Sequence, residues 1–157
     1  MMRTNAMRLL EVAKIPYGVK EYEVDENDLS GEHTAIKMGI PAEQVFKTLV
    51  LRGDRTGIFV CCIPSHEEID LKKVAKATGD KKAEMLPMKE LLPTTGYIRG
   101  GCSPIGMKRK YPLFMDETCV LHDEIAVSAG ERGAMVLLAP DALIEYTGAQ
   151  TCGLTKT

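Results

Sequence analysis

The sequence predicts an α+β fold: a mixed, largely antiparallel and partly barrel-like sheet with surrounding helices, in a single compact domain. Three observations carry that expectation. β-rich runs arrive in pairs joined by short turns, and helical segments fall among them without regular βαβα alternation. A chain of 157 residues, 45% hydrophobic and 27% charged, is also the right size for one core. The domain is expected to span residues 1–157, with no repeat, low-complexity tract or linker.

The elements follow in chain order. From Thr4 to Lys14, Met7, Leu10 and Ala13 recur at helical spacing, with Thr4 or Asn5 as N-cap and Pro16 as terminator. Tyr17 to Val24 alternates as a strand. Asp25 to Ser30 is a polar connection to a short helix, Glu32 to Met38, closed by Gly39, and Pro41 can open a further helical turn. Val45 to Arg52 and Ile58 to Ile63 are apolar β-rich runs flanking Gly53-Asp54-Arg55-Thr56-Gly57, which has the composition of a hairpin loop. Asp70 can cap a helix reaching Thr78, with Leu71, Val74 and Ala75 on its apolar face, lysines outward, and Gly79 as its stop. Then come a short strand near Ala83 to Leu86, a helical turn from Met88 to Leu92, and the segment Gly96 to Gly106, read as strand followed by loop. Strands at Leu113 to Met115, Glu124 to Ser128 and Ala134 to Leu138, with a turn at Ala129 to Gly133, precede a helix that starts at Pro140 and ends at Gly148.

Composition narrows the function classes. No Trp, three Phe and five Tyr leave few of the stacking platforms on which single-strand RNA binders rely. A net charge of −2 argues against a protein that coats nucleic acid, DNA included, because counterion release supplies such affinity. Lys72, Lys73, Lys76, Lys81 and Lys82, and separately Lys108, Arg109 and Lys110, still form two local basic clusters suited either to phosphate contact or to solvation. The five cysteines are an odd number with no CxxC. Adjacent Cys61 and Cys62 should point to opposite faces of a strand, so no structural metal or disulfide framework is expected. No secretory signal or bilayer-length apolar run is visible, so the expected setting is the cytoplasm.

Chemistry-bearing residues are few. Lys47, within Val45-Phe46-Lys47-Thr48-Leu49-Val50, shares a strand face with Val45 and Leu49. If that face is interior, its ammonium needs an anionic or carbonyl partner, as a substrate-binding lysine would; if not, it is an ordinary surface residue. Gly100-Gly101-Cys102-Ser103-Pro104-Ile105-Gly106 offers unhindered backbone N–H groups for a carbonyl oxygen or phosphate, or is simply a tight turn. Cys102 lacks a sequence signal for a partner base among His33, His66 and His122, and neither GxSxG nor a triad order surrounds Ser128. Tyr22 could turn a hydroxyl into a pocket or pack as strand tyrosines do.

Five blocks, taken in order, carry a resemblance: Lys14-Ile15-Pro16-Tyr17; Phe46-Lys47-Thr48-Leu49-Val50; Asp70-Leu71-Lys72-Lys73-Val74-Ala75; Thr95-Gly96-Tyr97-Ile98-Arg99 continuing through Gly106; and Val127-Ser128-Ala129-Gly130-Glu131-Arg132-Gly133. Together they resemble the YbaK/EbsC family, part of the editing-domain superfamily that also supplies the domain inserted in bacterial prolyl-tRNA synthetases. The resemblance implies deacylation of Cys-tRNA(Pro), with the 3′ aminoacyl end of mischarged tRNA as partner, prolyl-tRNA synthetase as a further possible one, and no cofactor. By motif position it implies catalytic roles for Lys47, Gly101, Ser128 and Tyr22. It also implies substrate contacts from Phe46, Thr48, Gly100, Cys102, Ser103, Pro104, Ile105, Gly106 and Arg132. In the family picture the substrate's own thiol attacks the ester, so no protein nucleophile is required. Cys102 stands where a small aliphatic residue is expected, and Glu131 where lysine is. The alternatives are a deacylase for another small amino acid such as alanine, and a non-catalytic module that binds tRNA or synthetase.

Overall fold

Capping chemistry sets the helix boundaries, and the computed structural model describes residues 3–156. Helix α1 (Asn5–Val12) starts where the Thr4 side chain accepts from the Met7 N–H, and buries Ala6, Met7 and Leu10. Ser30 caps α2 (Gly31–Met38) by accepting from His33 N–H, and Asp70 caps α3 (Leu71–Thr78) by accepting from Lys72 and Lys73 N–H. The glycines that end α2 and α3, and Gly148 after α5 (Pro140–Thr147), adopt the left-handed C-cap conformation that their positions suggest. Leu71 is exposed, so the apolar face of α3 is carried by Val74 and Ala75 alone.

Among the described residues, eight strands form two sheets. Strands β1 (Gly18–Glu21), β7 (Ala134–Leu138) and β6 (Ile125–Ser128) make an antiparallel sheet in the order β1-β7-β6. The larger sheet runs β4 (Ala83–Met85), β2 (Phe46–Gly53), β3 (Gly57–Pro64), β5 (Leu113–Asp116), β8 (Gln150–Cys152). The hairpin β2–β3 and the pair β2–β4 are antiparallel, whereas β3–β5 and β5–β8 are parallel. The sheet system is therefore mixed and mainly antiparallel. A parallel bridge between Val45 and Ala126 joins the two sheets, giving a partly barrel-like arrangement that does not close.

Two expectations are corrected and one strand is added. The segment Tyr97–Arg99 is not a strand: Thr95 Oγ1 accepts from Tyr97 N–H and Tyr97 Oη donates to the Ile105 carbonyl, folding it back into a closed loop. The helical turn expected to stop at Leu92 continues as α4 (Met88–Thr95) through Pro93. Proline removes one helical donor there, but the Thr95 hydroxyl donates to the Leu91 carbonyl and Gly96 N–H to that of Leu92. Strand β8 is not foreseen from the sequence, because a segment of three residues is too short to carry a readable period.

The main core lies between the sheets. Phe46, Val50, Val60, Cys62 and Met115 from the larger sheet meet Ile125, Val127, Val136 and Leu138 from the smaller one, and α1 closes this layer through Met7 and Leu10. Alternation along β3 sends Phe59, Cys61 and Ile63 to the opposite face, where α3 covers them. Both faces of β3 are thus buried, which is why it reads as an unbroken apolar run. On the outer face of the smaller sheet, Ala126 and Met135 pack against Ala35 and Met38 of α2.

Candidate active site

A cleft of about 410 Å³ opens where the two sheets meet, beside the first half of β2. Its position follows from the register. Val45 C=O accepts from Ser65 N–H and Val50 C=O from Leu86 N–H. Hydrogen-bonding direction alternates along an antiparallel strand, so Thr48, like Val50, turns its backbone groups away from β3. Strand β4 pairs only with Leu51 to Gly53. The Thr48 N–H and C=O are therefore left on an open strand edge along which the cleft runs.

Lys47 lines this cleft together with Phe46, Thr48, Tyr22, Gly100, Cys102 and Ser128. The ammonium of Lys47 is half-buried and makes no hydrogen bond or ion pair among the described residues. Burial holds its pKa below the ordinary lysine value, opposed only in part by the negative charges of Glu32, Glu68 and Glu67. A desolvated cation without a protein counterion is a binding point for an anionic or strongly polarised ligand atom.

The glycine-rich loop divides between two places. Gly100 has φ +84° and Cys102 turns toward the Lys47 cleft, whereas Pro104, Ile105 and Gly106 line a separate pocket bordered by α1 and α5. Ser103 is fully buried, and its hydroxyl accepts from Ile105 N–H, bracing the bend. Gly101 is not in the left-handed region; its requirement is closeness. A Cβ there would lie 3.1 Å from the Arg132 nitrogen and from the Glu131 Cα and carbonyl carbon. The loop thus rests directly on the backbone of the turn that follows β6.

That turn is fixed from both ends. Ser128 Oγ accepts from Gly130 N–H at 3.2 Å, and Arg132 Nε donates to the Arg99 carbonyl at 2.8 Å. Arg132 therefore ties turn to loop and does not itself line the cleft. Residues that the sequence did not single out also border it: Glu32 from the first turn of α2, Arg99, Thr34 and Ser65. Arg99 adjoins Gly100 within the fourth motif block, whereas Glu32, Thr34 and Ser65 carried no signal because they come from separate segments that only folding brings together.

No histidine lines the cleft. His33 belongs to a smaller adjoining pocket, where its Nε2 is 3.5 Å from Asp25 and its Nδ1 is 3.8 Å from Asp28, and His66 pairs with Glu67 at the surface. Burial pushes the Cys102 thiol up to about 12, so almost none of it is thiolate at neutral pH. The cleft thus offers a cation, backbone donors and hydroxyls, without an activated protein nucleophile. Among the described residues, no group of three or more His, Cys, Asp or Glu side chains is arranged to hold a metal ion, and no helix is long and apolar enough to cross a membrane.

Known proteins resemble this chain in sequence and in fold. The sequence model of the aminoacyl-tRNA editing domain matches residues 28–146, which include every cleft residue except Tyr22. The chain is 49% identical over 153 residues to EbsC of Enterococcus faecalis, described as a candidate Cys-tRNA(Pro)/Cys-tRNA(Cys) deacylase; the match covers 98% of this chain and 93% of that protein. It is 27% identical over 131 residues to the uncharacterised protein YwhH of Bacillus subtilis, covering 82% and 83% of the two chains. A solved structure described as a candidate trans-editing enzyme for prolyl-tRNA synthetase superposes with a TM-score of 0.82 at 23% identity, over 97% of this chain and 93% of that one. A hypothetical protein of known structure superposes at 0.86 with 17% identity, over 95% and 97%. At those identities the two structures speak for the fold.

Proposed function

The chain belongs to the aminoacyl-tRNA editing domain family, and from that premise we propose that it is a trans-editing deacylase that removes cysteine from mischarged Cys-tRNA(Pro). The observation that carries the mechanism is the pairing of a half-buried cation, Lys47, which makes no ion pair among the described residues, with a cleft in which the resident thiol is held protonated and no histidine is present. Such a site positions and polarises but cannot itself begin an acyl transfer. The nucleophile then comes from the substrate.

In this reading the cysteinyl sulfur attacks its own ester carbonyl. A C–S bond forms, the C–O bond to the terminal ribose breaks, the thiol proton ends on the ribose oxygen, and a cyclic thiolactone leaves intact tRNA behind. Lys47 holds the terminal adenosine or its phosphate, and the Gly100 and Cys102 amides of the loop face the developing oxyanion, since the Gly101 N–H already donates to the Ile98 carbonyl. Ser128 and Tyr22 shape the pocket around the side chain. Arg99, exposed at the rim, adds a second positive charge near Lys47. Prolyl-tRNA synthetase is the partner that would present this substrate, in the cytoplasm.

The test is a deacylation assay over a panel of charged tRNAs, with the first product identified. Cys-tRNA(Pro) should be deacylated and Ser-tRNA(Pro) spared, since an alcohol ionises far less readily than a thiol. Cys102→Ala and Cys102→Ser should stay active, with thiolactone as the early product. Dead Cys102 variants, or free cysteine appearing first, would sink the substrate-assisted route. Preferential hydrolysis of Ala-tRNA would instead favour the small-amino-acid alternative.

A further inference from the structure

The second half of the glycine-rich loop lines a pocket of about 320 Å³ that the deacylation chemistry leaves unused. Its floor is apolar, built from Ile105, Met107 and Leu113. Two tyrosines stand in its wall. Tyr111 is oriented by donating its hydroxyl to the Thr94 carbonyl, and Tyr146, from the last turns of α5, is 37% exposed. Arg109 and Lys110 lie at the rim, both exposed and both without an ion-pair partner among the described residues. No acidic side chain lines the pocket, on a chain whose net charge is −2.

We propose that this pocket is a second RNA subsite, which takes an unstacked nucleotide of the tRNA acceptor end upstream of the terminal adenosine. The base lies on the apolar floor against the tyrosines, and its phosphate meets Arg109 and Lys110. Flat aromatic side chains beside unpaired cations are what recognition of a splayed single-stranded nucleotide requires. The distance is suitable: Cys102 borders the cleft and Gly106 borders this pocket, and four residues of chain span at most about 14 Å. The loop between them is rigid, with Tyr97 Oη on the Ile105 carbonyl at 2.6 Å and Ser103 braced on Ile105 N–H. The inference rests on tRNA being the substrate, and deepens that reading by saying how the enzyme grips more than the charged adenosine.

The test uses an uncharged acceptor-stem RNA hairpin with a single-stranded CCA end, bound to the full-length protein and followed by fluorescence anisotropy across a salt series. Arg109→Ala combined with Lys110→Ala should weaken binding about tenfold at low salt, and should flatten the slope of log affinity against log salt by about 0.7 for each phosphate that is no longer neutralised. Tyr146→Leu should weaken binding about tenfold with the slope unchanged, while Tyr146→Phe binds as wild type. Thermal unfolding checks that the variants are folded. Wild-type affinity and slope in both the double variant and Tyr146→Leu would overturn the proposal. Competition by AMP as strong as by the hairpin would also overturn it, marking a free-mononucleotide site. Because the probe is uncharged, a wild-type protein that binds it yet deacylates nothing would remove the proposed activity and leave the subsite standing.

Discussion

Replacing Gly101 by alanine separates crowding from conformational strain. The backbone at Gly101 is outside the left-handed region, so alanine is allowed there by its own dihedral angles. The added Cβ meets main-chain atoms of Glu131 and Arg132 at 3.1 Å, tighter than ordinary van der Waals contact, and main chain cannot rotate away as a side chain would. Loop and turn must part by a few tenths of an ångström. Overpacking of this kind costs about 1 to 3 kcal/mol, and the reduced freedom of the unfolded chain returns about 0.4 to 1 kcal/mol. The net loss of about 1 to 2 kcal/mol corresponds to a fall in Tm of about 2 to 8 °C for a chain of this size. The displaced turn follows Ser128, whose hydroxyl holds Gly130, so both walls of the cleft shift and turnover should drop at least about tenfold. Gly18→Ala is the matched control: the substituted Cβ there has only Leu137 Cβ at 4.0 Å, so neither Tm nor turnover should fall. Thermal unfolding and Cys-tRNA(Pro) deacylation, measured on both variants, decide the matter. If Gly101→Ala melts and turns over like Gly18→Ala, the loop does not depend on close approach to the turn and the reasoning is refuted.

Lys47→Ala and Lys47→Met should lower kcat/KM by about ten- to a hundredfold, the range for losing a charged hydrogen-bonding partner, with circular dichroism unchanged. Since burial depresses the Lys47 pKa, its ionised form opposes folding at every pH below that folded-state value, and the penalty fades as pH rises through it toward the unfolded value. Lys47→Met should therefore melt no lower than wild type at neutral pH; a clearly lower Tm would mean that the ammonium stabilises the fold. Asp80 gives the opposite dependence: burial pushes its carboxyl up, but hydrogen bonds from the Thr78 and Thr56 hydroxyls and the Thr56 and Arg55 N–H groups outweigh this and hold it at about 2, below the ordinary 3.8. The stability it contributes is complete above about 4 and is lost as pH falls toward about 2, so acid unfolding of Asp80→Asn should lack that component and its Tm should be lower at pH 7; a wild-type acid profile in the variant would refute this.

Much of the fold was legible because it obeys local rules. Ser30 and Asp70 before α2 and α3, glycines after them, Pro140 opening α5 and the Gly53–Gly57 loop act through neighbours a few residues away, and each lies where its chemistry requires. The adjacent Cys61 and Cys62 do point into opposite layers, as a period of two demands. What the residues around Lys47 left open was whether its strand face is interior, because the pattern is the same for a covered and an uncovered face. Folding decided that by ending β4 at Met85 and bringing the Gly100 loop and Ser128 alongside.

The other tertiary decisions share that character. Continuation of α4 through Pro93 depends on the Thr95 hydroxyl, and β8 exists only because β5 offers it an edge. The motif Gly100 to Gly106 reads as one unit along the chain, yet its first half borders the Lys47 cleft and its second half a different pocket, because Ser103 bends it and Tyr97 pins it. By itself the sequence determined the α+β class, the caps of α2 and α3, the span of α5, the β2–β3 hairpin and, through its motif blocks, the family. Only the tertiary structure decided which of those motif residues share a cavity, since a strand or loop presents its side chains by alternation and bend, and what lies opposite each is set by contacts between segments far apart along the chain.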